Sequence, residues 1–274
     1  MARFQLFHFN SLFLRTKLAA FSIMFHFRSR RMKLVQLLYG VVCYLVGLAV
    51  LSYAIVFVGG WYAPLDINTG IMDGGLRGYL VNAAFLGLFA IQHTIMARPG
   101  FKEMITKVIP SPVERSTFVL ATSLILIGMI VNWHSYPALV WDFSDSPIGI
   151  ALTCLSVFGF ALGLYSSFQI DHFELFGLKQ VISQFQEKEF KEPEFVTPWL
   201  YKLVRNPLML GFLLGFWAAP AMSQGRLFFC IMVTGYIFVG IQFEERDIAK
   251  KLGRSYLEYK SRTPMVIPFL TRGS

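Results

Sequence analysis

Long apolar runs, set apart by short stretches rich in charge, proline and glycine, dominate the chain. Several approach or reach the roughly 20 residues that a helix needs to cross a bilayer. The first runs from about Leu34 to Gly60 and closes on Gly59-Gly60; the second, about Leu76 to Met96, is stopped by Arg98-Pro99-Gly100, because proline and glycine continue a helix poorly. The third, about Ser116 to Trp133, ends in an aromatic cluster of Trp133, Tyr136 and Trp141 suited to a membrane interface. The fourth, about Pro147 to Ile170, begins with proline at a tolerated first-turn position. After a polar segment from Asp171 to Asn206, two shorter runs, Pro207 to Met222 and Arg226 to Phe243, are joined only by Ser223-Gln224-Gly225. The pattern predicts an all-α fold: a polytopic membrane bundle of about six helices, the last two forming a short hairpin.

Composition agrees. Of 274 residues, 55% are hydrophobic and only 15% charged, too little polar surface for a soluble domain of this size. Cys43, Cys154 and Cys230 all lie within apolar runs and show no metal or redox spacing, so they read as packing residues. Residues 1–31 combine phenylalanines with six basic residues and no acid. They read as a basic extension, disordered or not made, with Met32 as the true start and residues 32–274 as the membrane domain.

A net charge of +9 invites a nucleic-acid reading, but the basic residues sort by membrane side instead. With the N-terminus inside, all but Arg77 and Arg226 of the 25 lysines and arginines fall in inner segments. The positive-inside rule then puts both termini in the cytosol.

Once the sides are assigned, polar groups near the inner helix ends become informative. Gln92-His93 closes the second span, Asp171-His172-Phe173-Glu174 follows the fourth, and Arg205-Asn206 and Glu244-Glu245-Arg246 flank the last hairpin. An acid pair set against an apolar run is costly without partners. Both ends of a hairpin lie on one side, so Arg205 and Arg246 are the expected partners. Asn206-Pro207 reads as a helix start, which also receives a carboxylate or phosphate well. Gly211 and Gly215 form a helix-contact face, with ligand room as the second reading. His93 and His172 each remain open between a packing and a functional role. Tyr256 and Tyr259, with Leu252, fit one face of a surface helix, and an aromatic face also holds a cation such as a sulfonium. No phosphate-binding glycine loop, dinucleotide fingerprint, zinc-protease helix or nucleophile elbow is present.

The segments Arg205-Asn206-Pro207-Leu208-Met209-Leu210-Gly211, Glu244-Glu245 and Gly253-Arg254-Ser255-Tyr256-Leu257-Glu258-Tyr259 resemble the C-terminal motif of integral-membrane methyltransferases related to isoprenylcysteine carboxyl methyltransferase. That motif reads Arg-His-Pro-x-Tyr-x-Gly, an apolar hairpin, Glu-Glu, then Gly-x-x-Tyr-x-x-Tyr. From about Met32 to Pro268 the chain is more similar to the methanethiol S-methyltransferase group. Segments shared with it are Gln92 to Pro99, Glu114 to Thr117, Asp171 to Gly177 and Pro264 to Pro268. Asn206 and Met209 stand where the broader pattern has histidine and tyrosine.

The resemblance implies S-adenosylmethionine as methyl donor and a small thiol as acceptor, with methanethiol giving dimethyl sulfide. It implies that Arg205 and the helix start at Asn206 and Pro207 hold the donor's carboxylate, with Gly211 leaving room. Glu244 or Glu245 would take its amino group or ribose, and Tyr256 or Tyr259 its adenine or sulfonium. Attack needs the thiolate, so His93 or His172 is the candidate base. The expected setting is the bacterial inner membrane with the site on the cytosolic side, an apolar acceptor arriving from lipid, and no obligatory protein partner or nucleic acid. Rival readings are a larger thiol or prenylated-cysteine carboxylate as acceptor, and a nurim-like structural protein without activity.

Overall fold

The computed structural model describes the backbone of residues 2–61, 63–72, 75–190 and 195–270, and side chains from residue 30 onward. The reading of residues 1–31 as an extension thus lies almost wholly outside the described side chains. In chain order the helices are α1 (Ala2–Gly59), α2 (Gly75–Met96), α3 (Pro99–Ile105), α4 (Glu114–Val131), α5 (Pro147–Ile170), α6 (His172–Leu175), α7 (Leu178–Phe185), α8 (Trp199–Leu203), α9 (Pro207–Trp217), α10 (Gln224–Leu252) and α11 (Arg254–Arg262). Among the described residues, five segments are long and apolar enough to cross a membrane: Arg30–Gly59, Gly75–Met96, Ser111–Val131, Pro147–Ile170 and Gln224–Leu252. This is a membrane protein built from helices.

The last hairpin differs from its expected form. Its first limb, α9, has only 11 residues, whereas α10 has 29 and runs without a break through Glu244-Glu245-Arg246. The acid pair therefore lies within a helix instead of beyond its end. Between the limbs, Ala221–Ser223 forms strand β2, which pairs antiparallel with β1 (Leu139–Asp142), Leu139 opposite Ser223 and Asp142 opposite Ala221. An all-α expectation misses this small sheet. Its physical reason is that Ala218, Ala219, Met222 and Ser223 are buried, and buried backbone groups need partners. Pro220 O accepts from Phe143 N at 2.9 Å, and Ala219 O from the Trp141 indole at 3.1 Å.

Caps fix where the long helices begin. Ser146 Oγ accepts from Gly149 N at 3.2 Å ahead of Pro147, and Ser223 Oγ from Arg226 N at 3.1 Å at the start of α10, each satisfying an N–H that has no partner in the helix. Arg226, 4% exposed, turns inward and donates to Gly59 O and Phe216 O, the closing carbonyls of α1 and α9.

The larger buried cluster lies at this end. Phe57, Val58, Ile67, Leu86, Met129, Trp133, Met222 and Phe229 belong to one buried cluster. α5 and α9 approach through glycines: a Cβ on Gly211 would stand 2.5 Å from Gly159 O and from Gly163 N, and one on Gly159 2.6 Å from Gly215 N. Ser156 Oγ donates to Gly215 O at 2.7 Å across the same contact. The opposite end of the bundle holds a smaller cluster of Ile237, Ile241 and Val266, and there the polar groups collect.

Candidate active site

Glu244 and Glu245 are neighbours on α10, so their side chains leave the helix about 100° apart. They serve two different surroundings. Glu245, 3% exposed, turns to the junction of α8 and α9. Arg205 Nε donates to its Oε1 at 2.7 Å and Nη2 to its Oε2 at 3.2 Å. Lys260 Nζ reaches Oε2 at 2.8 Å. Nη1 of Arg205 donates to the carbonyls of Lys260 and Thr263. Pro264 O and Met265 O accept from the backbone N–H of Arg205 and Asn206, and the Asn206 amide also donates to Met265 O. The result is a clamp that binds the start of α9, the acid of α10 and the chain after α11.

The expected residues around this clamp are placed as follows. Pro207 opens α9 and is fully buried. The Asn206 side chain does not cap the helix; its amide is spent on Met265. Gly211 is pressed against α5. Tyr256 and Tyr259 pack on Phe195, with ring centroids 5.9 and 5.6 Å away, and Tyr259 donates to Tyr201 O at 2.5 Å. Burial raises both phenols, Tyr259 to about 12, so both stay protonated donors at neutral pH. Leu252 does not share their helix, because Gly253 at φ +59° ends α10 first.

Glu244 turns the other way, toward α2 and α4. Its carboxylate has no hydrogen bond or ion pair with any described residue, yet lies within electrostatic reach of Arg98 and Arg115. Tyr236, Gly240 and Glu244 fall at four-residue steps on one face of α10. Gly240 leaves that face open: nothing lies closer than the Tyr236 ring, 4.0 Å from where a Cβ would stand. Across from it, His93 packs against Phe89 and Phe118 at centroid distances of 5.2 and 4.8 Å and meets the Tyr236 ring edge-on at 6.5 Å. His93 Nδ1 is buried without a hydrogen-bond partner. Arg98 Nη1 holds Asp247, one turn beyond Glu244, at 2.7 Å, and Thr122 donates to Gln92 Oε1 at 3.2 Å, tying α4 to α2.

Arg115 completes this chamber. Its guanidinium lies 4.5 Å from the Phe118 centroid and its Nε donates to Leu175 O at 2.7 Å. Gly177 makes that contact available. At φ +84°, and with Ser116 N only 2.7 Å from where a Cβ would sit, it lets the turn after α6 close onto the start of α4. In the sequence Arg115 stands out only as one of the inner-side basic residues and Tyr236 not at all; the Tyr236-Gly240-Glu244 spacing is the signal that could have found them.

His172 is not in the chamber. It is 2% exposed and stacks on Phe168 at 4.2 Å, with Ser167 Oγ 2.9 Å from Nδ1 and the Tyr44 hydroxyl 3.3 Å from Nε2. Both ring nitrogens are engaged, and burial lowers its pKa. Nearby Glu174 is raised, by burial first.

Comparison with known proteins decides the family. The chain is 43% identical over 241 residues to methanethiol S-methyltransferase 1 of Bradyrhizobium diazoefficiens, covering 88% of this chain and 85% of that protein. It is 42% identical over 233 residues to methanethiol S-methyltransferase of Mycobacterium tuberculosis, covering 85% and 96%. This chain belongs to the methanethiol S-methyltransferase family. The resemblance drawn from the sequence motifs therefore holds. A more distant similarity, 28% over 190 residues, links this methyltransferase family member to nurim of Xenopus laevis, over 66% of this chain and 65% of that one. No family model and no solved structure matches the chain.

Proposed function

We propose that the chain transfers a methyl group from S-adenosylmethionine to methanethiol, releasing dimethyl sulfide and S-adenosylhomocysteine. The observation that supports it is the chamber between α2, α4 and α10, which combines a carboxylate and a guanidinium that have no ion-pair partner among the described residues with an aromatic wall, in a chain of this family. These groups suit the donor's ammonium, carboxylate and sulfonium in turn, and Gly240 leaves room where a side chain would intrude.

S-adenosylmethionine supplies, when bound, a methyl group activated by its positive sulfur. The chain's own residues do the rest. Phe89, Phe118 and Tyr236 exclude water from around His93. His93 Nδ1, buried and without a partner, takes the thiol proton, and the acceptor sulfur forms its new bond to carbon as the donor's carbon–sulfur bond breaks. Arg98 and Arg115 favour the thiolate form of the acceptor. Glu245, Arg205, Asn206, Pro207 and Gly211 frame the site by fixing α9 and α10, and Tyr256 and Tyr259 cover its rim.

The protein crosses the membrane six times, with α9 as the short crossing, and both termini and the chamber lie on the cytosolic side of a bacterial inner membrane. The supporting observation is that, with the N-terminus inside, all but Arg77 and Arg226 of the lysines and arginines fall in inner segments of the sequence. A polar donor then enters from cytosol and an apolar thiol from lipid.

Headspace detection of dimethyl sulfide from cells fed methanethiol tests the reaction. Production is expected with the wild-type chain and a loss of about 10- to 100-fold with Glu244→Gln, which removes a charge-assisted contact. Wild-type cells that form no dimethyl sulfide above background would reject this function.

A further inference from the structure

The chamber holds two opposite charges that do not meet. Arg115 and Glu244 lie within electrostatic reach of each other, yet neither has an ion pair among the described residues. Glu174 and Glu114 also lie within reach of Arg115 and likewise stop short of it. Several other charged residues at this end are matched: Arg98 with Asp247, Arg205 and Lys260 with Glu245, Lys179 with Asp171. Arg115 is half-buried, and a guanidinium held partly away from water gains from an anionic partner, whereas Glu244 is exposed and so within reach of a ligand.

Arg115 is also built to stay in place. Its Nε is fixed on Leu175 O, and its plane lies by the Phe118 ring, which in turn packs on His93. Its Nη donors carry no hydrogen bond to any described residue, so one edge of the fork remains free for a planar anion. Glu244 lies one turn along α10 from Gly240, where nothing comes closer than the Tyr236 ring, and within electrostatic reach of Arg115. Arg205, by contrast, has its donors committed to Glu245 and two carbonyls.

The geometry points to Arg115 and Glu244 as a clamp for a zwitterionic α-amino acid group, Arg115 taking its carboxylate and Glu244 its ammonium. This rests on the reading of the chain as an S-adenosylmethionine-dependent methyltransferase, and it moves the donor's amino-acid end from Arg205 to Arg115. The amino-acid end then lies by α4, with the sulfonium toward Tyr236 and His93.

Two probes separate the clamp from the rest of the site. S-adenosylhomocysteine carries the amino-acid end; 5′-methylthioadenosine keeps the nucleoside and thioether but lacks it. Calorimetric titration of the full-length protein in detergent is expected to show wild type preferring S-adenosylhomocysteine. Arg115→Gln and Glu244→Gln should each weaken S-adenosylhomocysteine by about tenfold or more and leave methylthioadenosine unchanged, which also reports an intact fold. Arg115→Lys, which keeps the charge but loses the fork, should lose part of the preference and serves if the glutamine variant does not fold. An unchanged ratio between the two probes in the Arg115 variants, or equal weakening of both, overturns the clamp alone. Wild type that binds neither probe overturns the methyltransferase reading and the clamp with it.

Discussion

Arg205 grips both carboxylate oxygens of Glu245, Nε on Oε1 at 2.7 Å and Nη2 on Oε2 at 3.2 Å, while spending its other amino group on the Lys260 and Thr263 carbonyls. The two side chains are 8% and 4% exposed. Such a pair adds little over a well-packed apolar one, but losing one member strands the other. Arg205→Ala or Glu245→Gln is therefore expected to destabilise the protein by about 3–5 kcal/mol, read as a fall in thermal midpoint in detergent. A double-mutant cycle should return strong coupling. Midpoints that stay at the wild-type value in both variants would contradict a clamp.

The two candidate bases sit in contrasting environments, and activity should separate them. His93→Gln is expected to lower kcat by roughly 10²–10⁴, the usual worth of a positioned base, with S-adenosylhomocysteine binding retained. His172→Asn should instead lower the thermal midpoint, because Ser167 and Tyr44 lose their partner, and leave kcat per folded molecule near wild type. The reverse pattern would exchange their roles.

Stability should depend on pH through His172. Burial lowers its folded pKa below the ordinary 6.5, so the unfolded chain binds this proton more readily. Its contribution is complete above the unfolded value and is lost as pH falls through 6.5 toward the folded value. Thermal midpoints measured from about pH 7.5 down to about pH 5 should decline, and His172→Gln should flatten that decline. An identical slope in the variant would exclude His172 as the source. Glu174 acts in the opposite sense: its raised pKa gives a contribution present at low pH and lost as pH rises through the folded value, so it cannot produce the decline.

The contact between α5 and α9 has no room to spare. Gly211→Ala would put a methyl group 2.5 Å from Gly159 O and from Gly163 N, and overpacking of this kind costs about 1–3 kcal/mol. Backbone must move, since the obstructing atoms are main chain. The variant is expected to lose thermal stability and, through displacement of α9, part of its activity. Wild-type stability in Gly211→Ala would show that the helices separate freely.

Much of the architecture is legible in hydropathy, because a span only has to be long and apolar. The ends of α2 and α5 follow from Arg98-Pro99-Gly100 and Ser146-Pro147, which are local signals. The meeting of Arg205 with Glu245 follows from hairpin logic alone. What hydropathy conceals is direction around a helix: Glu244 and Glu245 read as one acid pair, and only the bundle reveals that they face apart. Arg115 was hidden for a related reason, since a basic residue by a membrane is ordinarily a topology signal. The strand at Ala221–Ser223 could not be read because its pairing partner, Leu139–Asp142, is remote in sequence and itself short.

At about 1.5 Å per residue the 11 residues of α9 reach only about 16 Å, roughly half the depth of a hydrocarbon core. The chain then continues as Ala218 to Ser223, whose backbone survives at that depth only because β1 and the surrounding protein shield it from lipid. On the proposed six-crossing topology, the rest of the depth beside this limb is filled by protein and not by acyl chains. Reconstitution into bilayers of increasing thickness should strain α9 first, and through its junction with Glu245 that strain would be delivered straight to the helix bearing Glu244.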